Sequence, residues 1–292
     1  MHPIEHLRYV ARARGADPVS LVRETAAALS GLSHEPAGIV LAVRRIVQRH
    51  PTVGPLWWLC SHAISAADPF EAIQKCEEEI RTDATIKNLR DAVPQDAKVC
   101  VVGWPTSILH ALATRSDLKI FVVESNGDGD AAVDRLLSMD VNVNLVQFEN
   151  LSRVIAECDY VIVEALATSS SEILCSAGSH GVAALGYCEQ KPVWLVTPLG
   201  TRLPNVLWAG MTSQVLGVAT SEGHEGHDDH DDHDDHDDHD DHDAREHQSL
   251  VDVVPASLFS RVISPLGISD DLTSPFLAEC PPATELLKQS AM

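Results

Sequence analysis

Apolar residues recur at three- and four-residue spacing through LVRETAAALS, GIVLAVRRIVQRH and PFEAIQKCEEEIRTDATIKNLRDAV, so residues 1–92 read as helices. Asp17-Pro18 and Asp68-Pro69 are helix-start signals, with proline in the first turn, where its missing N–H costs nothing. Gly54 to Ile64, with Trp57 and Trp58, reads as the core of a helix bundle. After Pro94 the period changes. AKVCVVGW, LKIFVVES, VNVNLVQ, DYVIVEA and KPVWLVTP are short β-branched runs, with helix-like stretches at Asp128 to Met139 and Leu151 to Cys158. Parallel strands need such crossovers. The pattern therefore predicts an α/β fold: a helical N-terminal domain over residues 1–92, then a Rossmann-like, mainly parallel sheet with flanking helices over 93–292. The tail VDVVPASLFSRVISPLGI reads as a final strand or extended piece followed by a short helix.

The segment from Val154 to Gly200 places a candidate site. A buried-type strand at Tyr160 to Val163 runs into a serine-rich turn, a small-residue helix is expected from about Glu172, and a second strand follows at Val193 to Thr197. Open α/β sheets bind ligands at the carboxyl ends of such strands. Thr168, Ser169, Ser170 and Ser171 precede the expected helix, whose free N–H groups would suit a phosphate or carboxylate. The plainer alternative is that one serine caps the helix. Gly178 and Ser179 lie in the same segment, and His180 and Arg202 either line its mouth or serve the structure. Cys175 falls at the expected helix start, where a thiol pKa can drop, although a cysteine among small residues also serves simply as packing.

Charge changes the picture in one place. The net charge is −22, yet fourteen acidic residues and one arginine between Ser221 and His247 carry −13 of it, leaving −9 for the rest. That remainder has no basic footprint for nucleic acid. No apolar run reaches the roughly 18 residues that suggest a membrane span, and the start lacks a signal-peptide core, so a cytoplasmic protein is expected. Seven scattered cysteines without a CxxC read as reduced small hydrophobes.

The stretch 221–247 is low-complexity with no apolar face and reads as a disordered insert between folded pieces. It places histidine at His224, His227, His230, His233, His236, His239, His242 and His247, mostly separated by aspartate pairs. Imidazole with carboxylate is a ligand set for zinc, nickel or cobalt. In an extended coil with three residues per turn, successive histidines rise roughly 9 Å apart, too far for one ion with bonds of about 2 Å. Metal would have to bend or coil the insert, giving several interchangeable sites. No cofactor is required by any other part of the sequence.

The order of elements from Pro94 onward resembles the translation initiation factor 2B alpha/beta/delta family, which includes the methylthioribose-1-phosphate and ribose-1,5-bisphosphate isomerases. The matching pieces are LRDAVPQDAKVCVVGW, FVVES with Glu124 and Ser125, DYVIVEA, Ile173 to Ser179, VWLVTP and DVVPASLFSRVI, where Asp252, Pro255 and Leu258 fit a D-x-x-P-x-x-L signature. The resemblance implies a homodimer and a sugar-phosphate cleft to which Glu124 and Ser125 would contribute. Several departures stand against isomerase chemistry. The turn Val102-Gly103-Trp104-Pro105-Thr106 has no cysteine where the isomerases use one, and Ala165 or Leu166 stands where they use an aspartate. Asn126 replaces an arginine, Ser170-Ser171 replaces an Asn-Gly pair, and their arginine- and glycine-rich N-terminal loop has no counterpart identified in this sequence. Glu164 is the one carboxylate near the catalytic place, although a one-residue offset on a strand reverses the face. The leading expectation is a family member without the isomerase reaction that binds a phosphorylated small molecule or a protein partner. The alternatives are an active sugar-phosphate isomerase using Glu164, and a metal storage or sensing protein working through the histidine run.

Overall fold

The computed structural model describes residues 17–32, 36–217, 251–270 and 278–287. The eight histidines of the run, from His224 to His247, lie outside the described residues. Among the described residues five helices come first: α1 Pro18–Ser30, α2 Pro36–Arg49, α3 Gly54–Ser65, α4 Pro69–Arg81 and α5 Thr85–Ala92. Both aspartate-proline starts cap as their chemistry dictates. Asp17 Oδ2 accepts from Ser20 N at 2.8 Å, and Asp68 Oδ1 accepts from Phe70 N and Glu71 N at 2.9 and 3.1 Å. The long stretch after Pro69 is two helices, because Asp83 breaks it by accepting from Thr85 N and Oγ1. Trp57 and Trp58 on α3 are wholly buried among leucines and valines of α1 and α2.

The α/β part follows as β1 Lys98–Val102, α6 Thr106–Leu112, β2 Lys119–Val123, α7 Asp128–Leu137, β3 Asn142–Val146, α8 Leu151–Glu157 and β4 Tyr160–Glu164. It continues through β5 Ala167–Thr168, β6 Glu172–Ser176, α9 Ser179–Cys188, β7 Val193–Val196 and α10 Asn205–Leu216. It ends with β8 Val251–Pro255, β9 Arg261–Ser264 and β10 Gly267–Ser269. Seven strands form one sheet in the order β10-β9-β7-β4-β1-β2-β3, all parallel except β10, which pairs antiparallel with β9. The central strands are buried on both faces, which is why they read as continuous apolar runs. The order reverses between β1 and β4, so the crevice at their carboxyl ends is the topological switch point.

The sequence-based expectation fails in two places. No helix starts at Glu172: residues 172–176 form β6, the middle strand of a small antiparallel sheet with β5 and β8. Ile173, Leu174 and Cys175 are consecutive and all buried, and a run that short fits helix and strand periods equally. The helix begins later, as α9. The tail also differs. After β8 comes one 3-10 turn at Ala256–Leu258, and then β9 and β10 join the main sheet.

Candidate functional site

Val102 ends β1 and the chain turns at Gly103, whose φ of +59° suits glycine. A Cβ there would lie 3.3 Å from Ser125 Cβ and 3.6 Å from Asp128 Cβ, so this turn touches the one after β2. Trp104 and Pro105 lead into α6, and across the switch point Glu164 ends β4. Between them lies a cleft of about 40 Å³ lined by Pro18, Val102, Trp104, Pro105, Thr106, Val163, Glu164, Leu166, Ser176 and Ser179. The volume suits one or two waters or the tip of a single side chain.

Glu164 is the only titratable side chain lining the cleft among the described residues. Its carboxylate does face the site, but it is engaged. Ser107 N donates to both oxygens at 3.2 and 2.9 Å, Ser107 Oγ donates to Oε1 at 2.8 Å, and Ile108 N donates to Oε2 at 3.2 Å. Pro105, which precedes α6, offers no side-chain cap. Glu164 therefore caps α6 from a different strand, filling the positive end of the helix. Burial pushes its carboxyl up to about 7, the Ser107 and Ile108 bonds pull the other way, and nearby Asp17 raises it further.

The two neighbouring helix starts are filled in the same manner. The Glu124 carboxylate accepts from Gly127 N and from Asp130 N at the start of α7. Gly129 leaves room for this, since a Cβ there would lie 2.7 Å from Glu124 Oε2. Asp252, on β8, accepts from His180 N at 2.9 Å at the start of α9. Ser125 Oγ donates to Ala177 O at 2.8 Å, tying the turn after β2 to the one before α9.

The other nominated residues separate. Ser179 lines the cleft, and Gly178, left-handed at φ 88°, starts α9 beside Val102. Thr168, Ser169, Ser170 and Ser171 do not precede a helix and so do not form the expected anion cradle. They make the β5–β6 hairpin, where Ser169 Oγ accepts from Ser171 N and Glu172 N at 3.3 and 3.0 Å. Cys175 is a buried strand residue whose thiol is pushed up by burial and by Asp252 and Glu164, the opposite of activation. Arg202 does not line the cleft. It is buried against Glu279, whose carboxylate also accepts from Gly200 N at 2.7 Å. Sequence reasoning missed Ser107 and Glu279 and named Asp252 only as part of a signature, without its cap on α9; all three roles depend on partners distant in sequence. Among the described residues no group of histidine, cysteine and carboxylate side chains is arranged to hold a metal, and no helix is long and apolar enough to cross a membrane.

No protein-family model matches this sequence, and no curated protein matches it. Solved structures do. The chain is similar to the Pyrococcus horikoshii OT3 translation initiation factor eIF-2B at a TM-score of 0.66 and 16% identity, over 91% of this chain and 96% of that one. A chain of the tetrameric eIF2B-beta2-delta2 complex from C. thermophilum matches at 0.65 and 13%, over 94% and 93%. The eIF2B delta of Chaetomium thermophilum matches at 0.62 and 11%, over 90% and 96%. At these identities the likeness is one of fold: a helical layer followed by a switch-point sheet, as in translation initiation factor 2B subunits.

Proposed function

We propose that the chain is a cytoplasmic member of the translation initiation factor 2B alpha/beta/delta group that has lost the isomerase reaction and works by binding, as a homodimer or in a larger assembly. One observation carries this reading: among the described residues the only titratable group in the cleft, Glu164, spends its carboxylate on the start of α6. Aldose-ketose isomerisation needs an acid and a base within reach of two neighbouring carbons and oxygens. Ala165 is buried and Leu166 is apolar, and the turn from Val102 to Thr106 offers no thiol. Of the two ligand classes suggested by the sequence, a protein segment suits this cleft better than a phosphorylated small molecule, because among the described residues no lysine or arginine lines it.

A second reading rests on the Glu164 carboxyl lying near 7, a suitable value for a general acid or base. The two separate in one assay. Purified protein is given 5-methylthioribose 1-phosphate or ribose 1,5-bisphosphate, and ketose is followed by NMR. The proposal expects none. Ketose that disappears in Glu164→Gln would establish the isomerase instead.

The histidine run supports an independent proposal, multi-site binding of zinc, nickel or cobalt by His224 to His247. Calorimetric titration of zinc into the intact chain and into one lacking Ser221–His247 tests it. Heat is expected from the first only, and equal heats would end the idea.

A further inference from the structure

Residues 278–287 come after the last strand described and join no sheet; their one regular piece is a 3-10 turn at Thr284–Leu287. They lie along a groove between α2, α3, α10 and the loop after β7. The rest of the molecule holds them as a receptor holds a peptide, with side chains on the main-chain carbonyls. His62 Nε2 meets Glu279 O at 3.1 Å, Ser61 Oγ donates to Pro281 O, and Arg44 Nε donates to Glu285 O at 2.6 Å. Glu279 N donates in return to Arg202 O at 2.9 Å.

Two anchors fix the ends. At one, the Glu279 carboxylate accepts from Gly200 N and Arg202 N at 2.7 and 3.3 Å and pairs with the Arg202 guanidinium, whose side chain is 5% exposed. At the other, Leu286 is buried with Cys280 and Ala283 in the core of the helical layer. Leu287 fills the space that Gly210 leaves on α10, where a Cβ would lie 2.1 Å from its Cδ2. Pro281 and Pro282 stiffen the link between the anchors. Ala278, Pro282, Thr284 and Glu285 are exposed. A segment held at two ends, without a strand ladder, opens at lower cost than the sheet beside it.

We infer that this groove is a peptide-binding site occupied by the chain's own residues 278–287, and that it takes a partner protein's segment of the same chemistry. That segment carries a glutamate, a proline pair, and leucines seven and eight residues after the glutamate, as Glu279, Pro281, Pro282, Leu286 and Leu287 do here. None of the groove residues named above lines the switch-point cleft, so this site goes beyond the proposed function and does not depend on it. Own segment and partner compete for Arg202. The tethered segment, at an effective concentration on the order of millimolar, sets the threshold that a partner has to exceed. The buried guanidinium makes the carboxylate the specific element, since an uncharged side chain in its place would withdraw this counter-charge from Arg202.

The probe is a fluorescent peptide of sequence AECPPATELL, added to the full chain and read by anisotropy, for the wild type, Glu279→Gln and Leu287→Ala. The two variants loosen the segment at opposite ends, so that misfolding of one leaves the other. At least one should bind the peptide about tenfold more tightly than the wild type does, the weight of one charge-assisted hydrogen bond. A peptide with glutamine in place of its first glutamate should bind about tenfold more weakly. Equal binding to wild type and variants overturns the inference, and so does the lack of saturable binding to either variant. Thiol trapping reads the wild type without substitution: Cys280 should react before Cys100, Cys158 and Cys175. Reaction of all four together would mean that the segment leaves only on global unfolding, which also overturns the inference. A wild-type dimer that the peptide splits would make a second copy the occupant and overturn the assignment to a partner protein. Ketose formation bears on none of these readings.

Discussion

Among the described residues Glu164 and Glu279 are the carboxylates drawn furthest out of bulk water, and their partners differ. Glu279 meets a guanidinium, that of Arg202, together with the N–H groups of Gly200 and Arg202. Glu164 meets no cation among the described residues. It has two backbone N–H groups and the Ser107 hydroxyl. Burial raises both pKa values and the bonds oppose it, but among the described residues a full positive charge helps at Glu279 alone. An ion pair makes Glu279 a fastening between the segment 278–287 and the loop after β7. Dipoles alone leave Glu164 a cap that titrates close to neutrality. In a cleft where a reader of the sequence looks for catalysis, the carboxylate is holding a helix.

The largest effect should come from breaking the charged pair. Arg202→Ala leaves Glu279 buried without its cation and should cost about 3–5 kcal/mol in denaturant unfolding. A loss below about 1 kcal/mol would mean the pair is solvated, and the contrast with Glu164 would collapse.

The next effect is a pH dependence. The folded pKa of Glu164 is about 7 against 4.5 for the free group, so the folded state holds more protons between those values. Stability contributed by this group is therefore full below about pH 4.5 and declines as pH rises to about 7, by at most about 3 kcal/mol. Glu164→Gln should flatten that slope. An unchanged slope between pH 4.5 and 7 would assign it to other groups.

These roles show where sequence reading succeeds. The strands of the central sheet were legible because burial on both faces leaves unbroken apolar runs, as in Val99 to Val102 and Val161 to Val163. The aspartate-proline helix starts were legible because the cap and its N–H groups are neighbours in sequence. The cleft could be located from the strand order. Its chemistry could not: Glu164 meets Ser107 across 57 residues and Arg202 meets Glu279 across 77. The hairpin of Thr168 to Ser171 was mistaken for a helix start because a serine-rich turn precedes both, and Ile173 to Cys175 is too short to show a period.

The smallest effect separates exposed from buried thiols. Cys188 is exposed and the other six free cysteines are buried, with Cys76 and Cys280 pushed up to about 12 mainly by burial. One thiol should react rapidly with Ellman's reagent in the native protein. Cys188→Ser should remove that phase and change stability by less than about 0.5 kcal/mol. A second fast thiol would show that the packing around one of the buried cysteines opens more readily than the structure implies.

The most direct measurement follows Glu164 itself. Its titration can be read by carbon NMR of side-chain-labelled glutamate, assigned with Glu164→Gln, in the wild type and in Ser107→Ala. The account predicts a midpoint near 7 in the wild type, a higher midpoint when the Ser107 hydroxyl bond is lost, and no response to added ribose 1,5-bisphosphate. A midpoint that moves when the sugar phosphate is added would put Glu164 in contact with ligand and contradict its assignment as a helix cap.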